Sequence, residues 1–186
     1  IQKPYEGNYE QYENELLNRL KRGELQSSDS IHFPDSLKYT TPAGHTVFGG
    51  GGIMPDVFVA LDTSGSSNYY SSISSKGLIS EFAYNYLDDN RKLFRKYKTF
   101  DEYNQSFFVN EKIIREFVSF NKKNGVPPDE EGFKISSEII TTQLKALIAR
   151  QIWKNEGFYA VIHTLDVTLK KATELIEKRE VTYKEK

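Results

Sequence analysis

From Leu78 onward, apolar residues recur three and four positions apart, and polar caps and glycines punctuate the runs. That period commits most of the chain to amphipathic helices. Leu78, Phe82 and Tyr86 form a stripe that predicts a helix over Gly77 to Asn90. Phe100 to Phe108 reads as a short helix after a cap at Thr99 or Asp101. Asn110 is a natural N-cap for a helix bearing Ile113, Ile114, Phe117 and Val118, and Gly125 to Pro128 ends it. Ser136 or Ser137 opens the longest helix, with Ile140, Leu144, Leu147, Ile148 and Ile152 at helical spacing through Trp153, until Gly157 interrupts it. Leu144, Leu147, Ile148 and Trp153 are the expected core. Asp166 or Thr164 caps a last helix with Leu169, Ala172 and Ile176 on one stripe.

The first 62 residues have a different texture. Asn8 to Arg22 reads as a helix with Tyr9, Tyr12, Leu16 and Leu20 on one face and Gly23 as its stop. Ser27 to Asp35 is a loop. Leu37 to Thr41 and His45 to Phe48 read as two short strands joined at Pro42-Ala43-Gly44, and Gly49 to Gly52 as a flexible run. Val57 to Leu61 is β-branched and aromatic, which predicts a buried strand. Thr63 to Ser67 is a Ser/Gly linker and marks the domain boundary. The fold class is therefore α+β and mainly helical, with a strand-bearing segment at 1–62 and a helical bundle at 63–186. No internal repeat of fixed period is present.

Composition removes several classes of function. Lys and Arg number 25 against 26 Asp and Glu, which excludes a strongly basic nucleic-acid binder. The balance is uneven along the chain: 1–62 carries 5 basic and 9 acidic residues, or −4, and 63–186 carries 20 and 17, or +3. Mean hydropathy is low at −0.60, yet 12 Tyr and 12 Phe supply bulk that the aliphatics lack, so disorder is not expected. Without cysteine there is no disulfide, no thiol nucleophile and no Cys-based zinc site. No apolar run approaches the roughly 18 residues of a membrane span. The opening Ile1-Gln2-Lys3-Pro4 reads as the edge of a fragment, with any targeting signal upstream.

Local constellations have plain structural readings. Gly49 to Gly52 lacks the G-x-x-x-x-G-K-[ST] spacing of a phosphate cradle and leads to Pro55 and a strand-like run, so it reads as a turn. His32, His45 and His163 make no metal-binding spacing, and Asp88-Asp89-Asn90 and Asp129-Glu130-Glu131 lack the calcium-loop pattern. They read as structural histidines and helix-end charges. Neither a metal nor a cofactor is expected. Arg91, Lys92, Arg95, Lys96 and Lys98, with Phe94 and Tyr97 between them, form the one basic cluster. It could meet phosphate or lipid headgroups, although a solvated helix face is the simpler reading. The tyrosines at 69, 70, 84 and 86 are expected in half-buried positions or facing a partner domain. Ser71 or Ser72 with Lys96 imitates a Ser/Lys pair, but no glycine shapes a nucleophile turn around Tyr69-Tyr70-Ser71-Ser72-Ile73, and Lys96 lies among other cations.

One stretch is distinctive: Tyr39-Thr40-Thr41-Pro42-Ala43-Gly44-His45-Thr46-Val47-Phe48, continuing Gly49-Gly50-Gly51-Gly52-Ile53-Met54-Pro55-Asp56. It resembles the Y-T-P-[SA]-G-[RH]-x-[IV]-x-G-x-G-[IV]-x-P-D pattern of the C-terminal processing (tail-specific) serine peptidases. Gln143 to Arg150, with Trp153 after it, also resembles a helical region of some members, and Ile1-Gln2 looks like the tail of a pattern that resumes after an insertion. In that family the pattern closes the catalytic domain. Pro42, Gly44, Gly51, Gly52, Pro55 and Asp56 are then structural positions that shape the turn. The resemblance implies a Ser nucleophile in a G-S-x-[AS]-x-[AS]-E turn and a Lys base in a G-x-x-[TS]-x-G-K segment, both upstream. Neither motif occurs in this chain, so no catalytic residue is assigned and the chain alone is expected to be inactive. The implied setting is the bacterial periplasm or cell envelope. The implied partners are the rest of the parent peptidase, its protein substrates and, in a homo-oligomer, further copies. The alternative is a free-standing helical protein-interaction module unrelated to proteolysis.

Overall fold

The structure is a computed structural model that describes residues 14–31, 35–42, 44, 46–49 and 57–178. It is mainly helical, with one small antiparallel sheet among the described residues. The chain divides into two units, Ile1–Asp62 and Thr63–Lys186.

In the first unit, helix α1 spans Glu15–Lys21, and Gly23 turns the chain out of it at φ +77°. Tyr9 and Tyr12, expected on the same helix, lie outside the described residues. Arg19 Nε and Arg22 Nε donate to the Glu24 carboxylate at 3.0 and 2.6 Å. Burial would raise the Glu24 carboxyl, but the two guanidinium groups outweigh it and hold it below the usual carboxylate range. Strands β1, Lys38–Thr40, and β2, Thr46–Phe48, pair antiparallel with Tyr39 opposite Val47. Gly44 closes the turn at φ +83°, its N–H donating to Thr41 O at 2.9 Å. Beyond the ladder, Gly49 N–H donates to Leu37 O at 2.7 Å.

The expected strand at Val57 to Leu61 does not form. Val57 and Leu61 are 42% and 49% exposed, and Leu61 N–H donates to Leu25 O at 2.8 Å. β-Branched residues favour a strand only where a neighbouring ladder and a covered face receive them. Gly51, Gly52, Pro55 and Asp56 lie outside the described residues, as do His32 and His45.

The second unit is built on helices α2, Asn68–Ser75; α3, Leu78–Asp89; α4, Arg91–Phe94; α5, Phe100–Ser106; α6, Glu111–Lys123; α7, Glu130–Ile162; and α8, Val167–Glu177. The long α7 is the spine: α2, α3 and α5 pack on it, and α6 packs on α3. Local cap chemistry sets most boundaries. Ser67, Thr99, Asn110, Asp129 and Asp166 each accept a backbone N–H three residues ahead. Helix α2 was not anticipated, because its serines and tyrosines carry little aliphatic stripe. Its Tyr69 and Ile73 are nonetheless buried.

Two expectations about the spine need correction. Helix α7 starts at Glu130, not at Ser136 or Ser137. Ser136 is fully buried and serves another element: Ser67 N–H donates to Ser136 Oγ, which donates to Ser67 Oγ, both at 2.9 Å. Gly132, in the first turn, leaves room for the cap, since a Cβ there would collide with the Asp129 carboxyl and lie 2.8 Å from Tyr69 Cβ. The interruption is at Trp153 (φ −113°, ψ 18°) and Lys154 (φ 58°, ψ −149°), not at Gly157. The expected last helix forms with Asp166 as its cap, and Leu169, Ala172 and Ile176 on it are exposed.

The core is aliphatic along α7 and aromatic at one end. Leu144 and Ile148 are fully buried with Ile140 and Ile73, whereas Leu147 and Trp153 are half-buried and Ile152 is exposed. Tyr103 is fully buried, stacked on Phe107 at 5.0 Å, with Trp153 also at 5.0 Å and Tyr97 edge-on at 5.5 Å. Its hydroxyl donates to Lys145 O at 2.8 Å. Lys145 Nζ returns the tie by donating to Asn104 O at 2.6 Å, and burial lowers the lysine from its ordinary value.

Two stability outcomes follow from this packing. Leu144→Ala is expected to cost about 2–5 kcal/mol, and Leu169→Ala to stay within about 0.5 kcal/mol, as measured by urea unfolding. Burial, with Tyr97 beside it, raises the Tyr103 hydroxyl far above the usual phenol range, and burial raises Tyr69 and Tyr86 as well. The unfolded chain loses these protons near pH ~10. Stability is therefore complete below about pH 10 and falls as pH rises beyond it. Tyr103→Phe should lower stability by about 0.5–1.5 kcal/mol at neutral pH and make the alkaline fall shallower. An unchanged alkaline slope would contradict this.

Candidate functional site

The end of α3 and the short α4 border two grooves that carry charged side chains. A groove of about 410 Å³ has Leu87, Phe94, Tyr97 and Ile152 as its apolar lining. Arg91, Arg95 and Asp88 supply its charged groups, and Gln151 reaches it from α7. Four-residue spacing on a helical turn explains why Arg91 and Arg95 share this side. Phe94, between them, points inward as an anchor, only 4% exposed and 5.2 Å from Phe107.

The cations differ in how they are held. Arg91 donates to Asp88 Oδ1 through Nε at 3.2 Å and Nη2 at 2.8 Å, an exposed pair of small energetic weight. Lys96 Nζ lies 4.8 Å from the Tyr97 ring centroid, a cation–π contact. Lys92, Arg95 and Lys98 are exposed, and no carboxylate among the described residues pairs with their side chains. The basic cluster is thus a solvated turn whose Arg91 and Arg95 border an apolar floor. It can hold an anionic group without first breaking a buried pair.

The other groove, about 510 Å³, lies between α3 and α6 and is acidic, with Asp88, Asp89 and Glu116 over Phe82 and Phe120. Its carboxylates do not assemble into a metal site: among the described residues no group of three or more His, Asp or Glu side chains could hold a metal ion. Tyr86 lines it as well, its hydroxyl raised by burial and then by the Glu116 charge. Asp88 borders both grooves, so the end of α3 separates a surface suited to cations from one suited to anions.

Ser72 and Lys96 have separate structural partners. Ser72 Oγ donates to Asn68 O at 2.8 Å, within its own helix, and Lys96 faces Tyr97. His163 packs against the Tyr159 ring at 5.3 Å. Asp129 acts as a helix cap. Of the positions assigned to the family turn, Pro42 and Gly44 are described, and they sit at the β1–β2 connection. Sequence reasoning found the basic cluster but missed Gln151 and Ile152. They enter the groove from a distant helix, and Gln151 is oriented by its own bond from Nε2 to Ala83 O at 3.1 Å. No local pattern announces such a contribution.

Comparison with known proteins adds a stretch of similarity without a function. A family of unknown function (DUF8443) is matched over residues 69–154. No curated protein and no solved structure matches the chain. The matched stretch runs from the first turn of α2 to the break in α7, and it contains every residue that lines the two grooves.

Proposed function

We propose that this chain is the C-terminal portion of a tail-specific serine endopeptidase. Residues 1–62 complete the sheet of the catalytic domain, and residues 63–186 form a helical module that positions the parent or its protein partners. The module has no nucleophile of its own. The supporting observation is the β1–β2 hairpin on the Tyr39–Phe48 stretch. Its strands are three residues long, β1 is exposed throughout, and Tyr39 is 53% exposed. A two-stranded ladder of this size is marginal alone and gains stability when further strands or a covering layer are added. The sequence pattern around Pro42 and Gly44 resembles the peptidase family, whose sheet would supply that layer.

A free-standing interaction module is the second reading. It is favoured by the second unit's own buried core, with Ile73, Tyr103, Phe117, Ile140, Leu144 and Ile148 all inside 63–186. The grooves beside α3 then serve charged protein segments directly. On the first reading the parent acts in the periplasm or cell envelope. No described helix is long and apolar enough to cross a membrane.

The test compares this chain with the polypeptide encoded by the same gene together with its upstream sequence. An unfolded protein with an apolar C-terminus is the substrate. The longer chain is expected to hydrolyse it through a serine and a lysine lying upstream, and the present chain is expected to leave it intact. Upstream sequence without the Ser and Lys motifs would remove the peptidase reading and leave the interaction module. Turnover by the present chain that is lost in Ser71→Ala or Ser72→Ala would overturn both.

A further inference from the structure

We infer that the acidic groove between α3 and α6 receives the guanidinium of an arginine side chain presented by a partner protein. This ligand belongs to the interaction-module reading and rests on it. The pointer is Tyr86. Its side chain is 9% exposed, it lines the groove, and its hydroxyl has no hydrogen-bond partner among the described residues. The other deeply buried tyrosines are satisfied within the fold: Tyr103 donates to Lys145 O at 2.8 Å, and Tyr69 accepts from Asn121 Nδ2 at 2.9 Å. A phenol this buried ordinarily has a partner. For Tyr86 that partner has to come from the groove.

The groove is built of acceptors. Asp88, Asp89 and Glu116 line it, and no lysine or arginine does. Their gathering runs against the charge of the unit, since 63–186 carries 20 basic and 17 acidic residues. Asp88 is engaged by Arg91 at 2.8 Å, and Glu116 only loosely by Lys112 Nζ at 3.9 Å. Asp89 pairs with no cation among the described residues. An incoming cation therefore meets a carboxylate on each wall, Asp89 on α3 and Glu116 on α6, without first breaking a buried pair. Asn90 donates from Nδ2 to Tyr86 O at 2.9 Å, which leaves its Oδ1 as a further acceptor. Burial, then the charges of Glu116 and Tyr97, raise Tyr86 above the usual phenol range, so it stays a neutral hydroxyl.

The floor selects the kind of cation. Among the described residues no group of three or more His, Asp or Glu side chains could hold a metal ion, which leaves an organic cation. Phe82 stacks on Tyr86 with ring centroids 5.7 Å apart and meets Phe120 at 5.6 Å. A lysine ammonium is compact and strongly hydrated, and it gains less from such a floor. A guanidinium is planar and weakly hydrated: its face lies against aromatic carbon while its N–H groups spread to acceptors at the rim. A volume of about 510 Å³ holds the head and its methylene stem. Asp89 and Glu116 are exposed at the rim, so the side chain enters from solvent and the peptide backbone stays outside.

A blocked pentapeptide whose one charged residue is arginine, titrated into the 186-residue chain at neutral pH and low salt, tests the site. Amide chemical shifts of the labelled protein read the binding and are expected to move on α3 and α6. Citrulline, the neutral isostere, in place of the arginine should weaken binding by about tenfold, because charge-assisted bonds are lost. Glu116→Gln should weaken it about fivefold and Tyr86→Phe about threefold. Helical circular dichroism checks each fold, and Asp89→Asn, at an exposed position, replaces any variant that unfolds. Equal affinity for the arginine and citrulline peptides overturns the site, as does indifference to Glu116→Gln. A lysine peptide that binds as well as the arginine peptide overturns the choice of guanidinium. An alkylguanidine without a peptide backbone that binds about tenfold tighter would assign the groove to a small molecule and overturn the protein partner. The upstream sequence decides between the two readings of the chain, and the titration decides the groove, so either can fail without the other.

Discussion

The second unit depends on the burial of one tyrosine. Tyr103 has no exposed surface, and its ring touches elements that are far apart in sequence: Phe94 and Tyr97 after α3, Phe107 after α5, and Trp153 at the break in α7. A buried phenol needs a partner for its hydroxyl. Tyr103 finds it in the carbonyl of Lys145, on the spine. The bond fixes where α5 docks, and the ring then fixes where the α4 turn closes. Phe94 is held by that same aromatic cluster, so the exposed guanidinium groups on either side of it inherit their placement from a residue they do not touch.

Lysines secure helix ends in the same economical way. Lys145 donates to the carbonyl of Asn104 in the last turn of α5, and Lys76 donates to Asn124 and Gly125 just past α6. These carbonyls lack intrahelical partners, and the cations also favour the negative end of the helix dipole. Positive charge counted as surface charge in the sequence is therefore partly structural. The α4 turn carries the densest run of the cations that stay exposed.

Legibility followed the range of the chemistry. Thr99, Asn110 and Asp166 were readable as caps because a side-chain oxygen and an amide three residues ahead are neighbours in any helix start. The β1–β2 turn was readable because Pro42 and Gly44 restrict the backbone locally. Val57 to Leu61 misled, since its residues suit a strand only when a sheet is present to receive them. Ser136 misled because its hydroxyl, an apt cap by type, is committed to Ser67 across the fold. The break at Trp153–Lys154 was marked in the sequence only by Gly157, three residues beyond it, whose lack of a Cβ admits the close approach to Trp153 and Ala149. The groove beside α4 was half legible: Arg91 and Arg95 declared themselves by spacing, whereas Gln151 and Ile152 arrive only through folding.

The bond pair between Ser67 and Ser136 has a mechanical consequence. Ser67 stands at the threshold of the second unit, and its backbone N–H and side-chain Oγ are both fastened to the middle of the first half of the spine. A pull applied along the linker at 63–66 meets that fastening before it reaches α2. The load passes into α7 at Ser136, and the first turn of α2, hung from Ser67 Oγ through Tyr70 N–H, is shielded from tension.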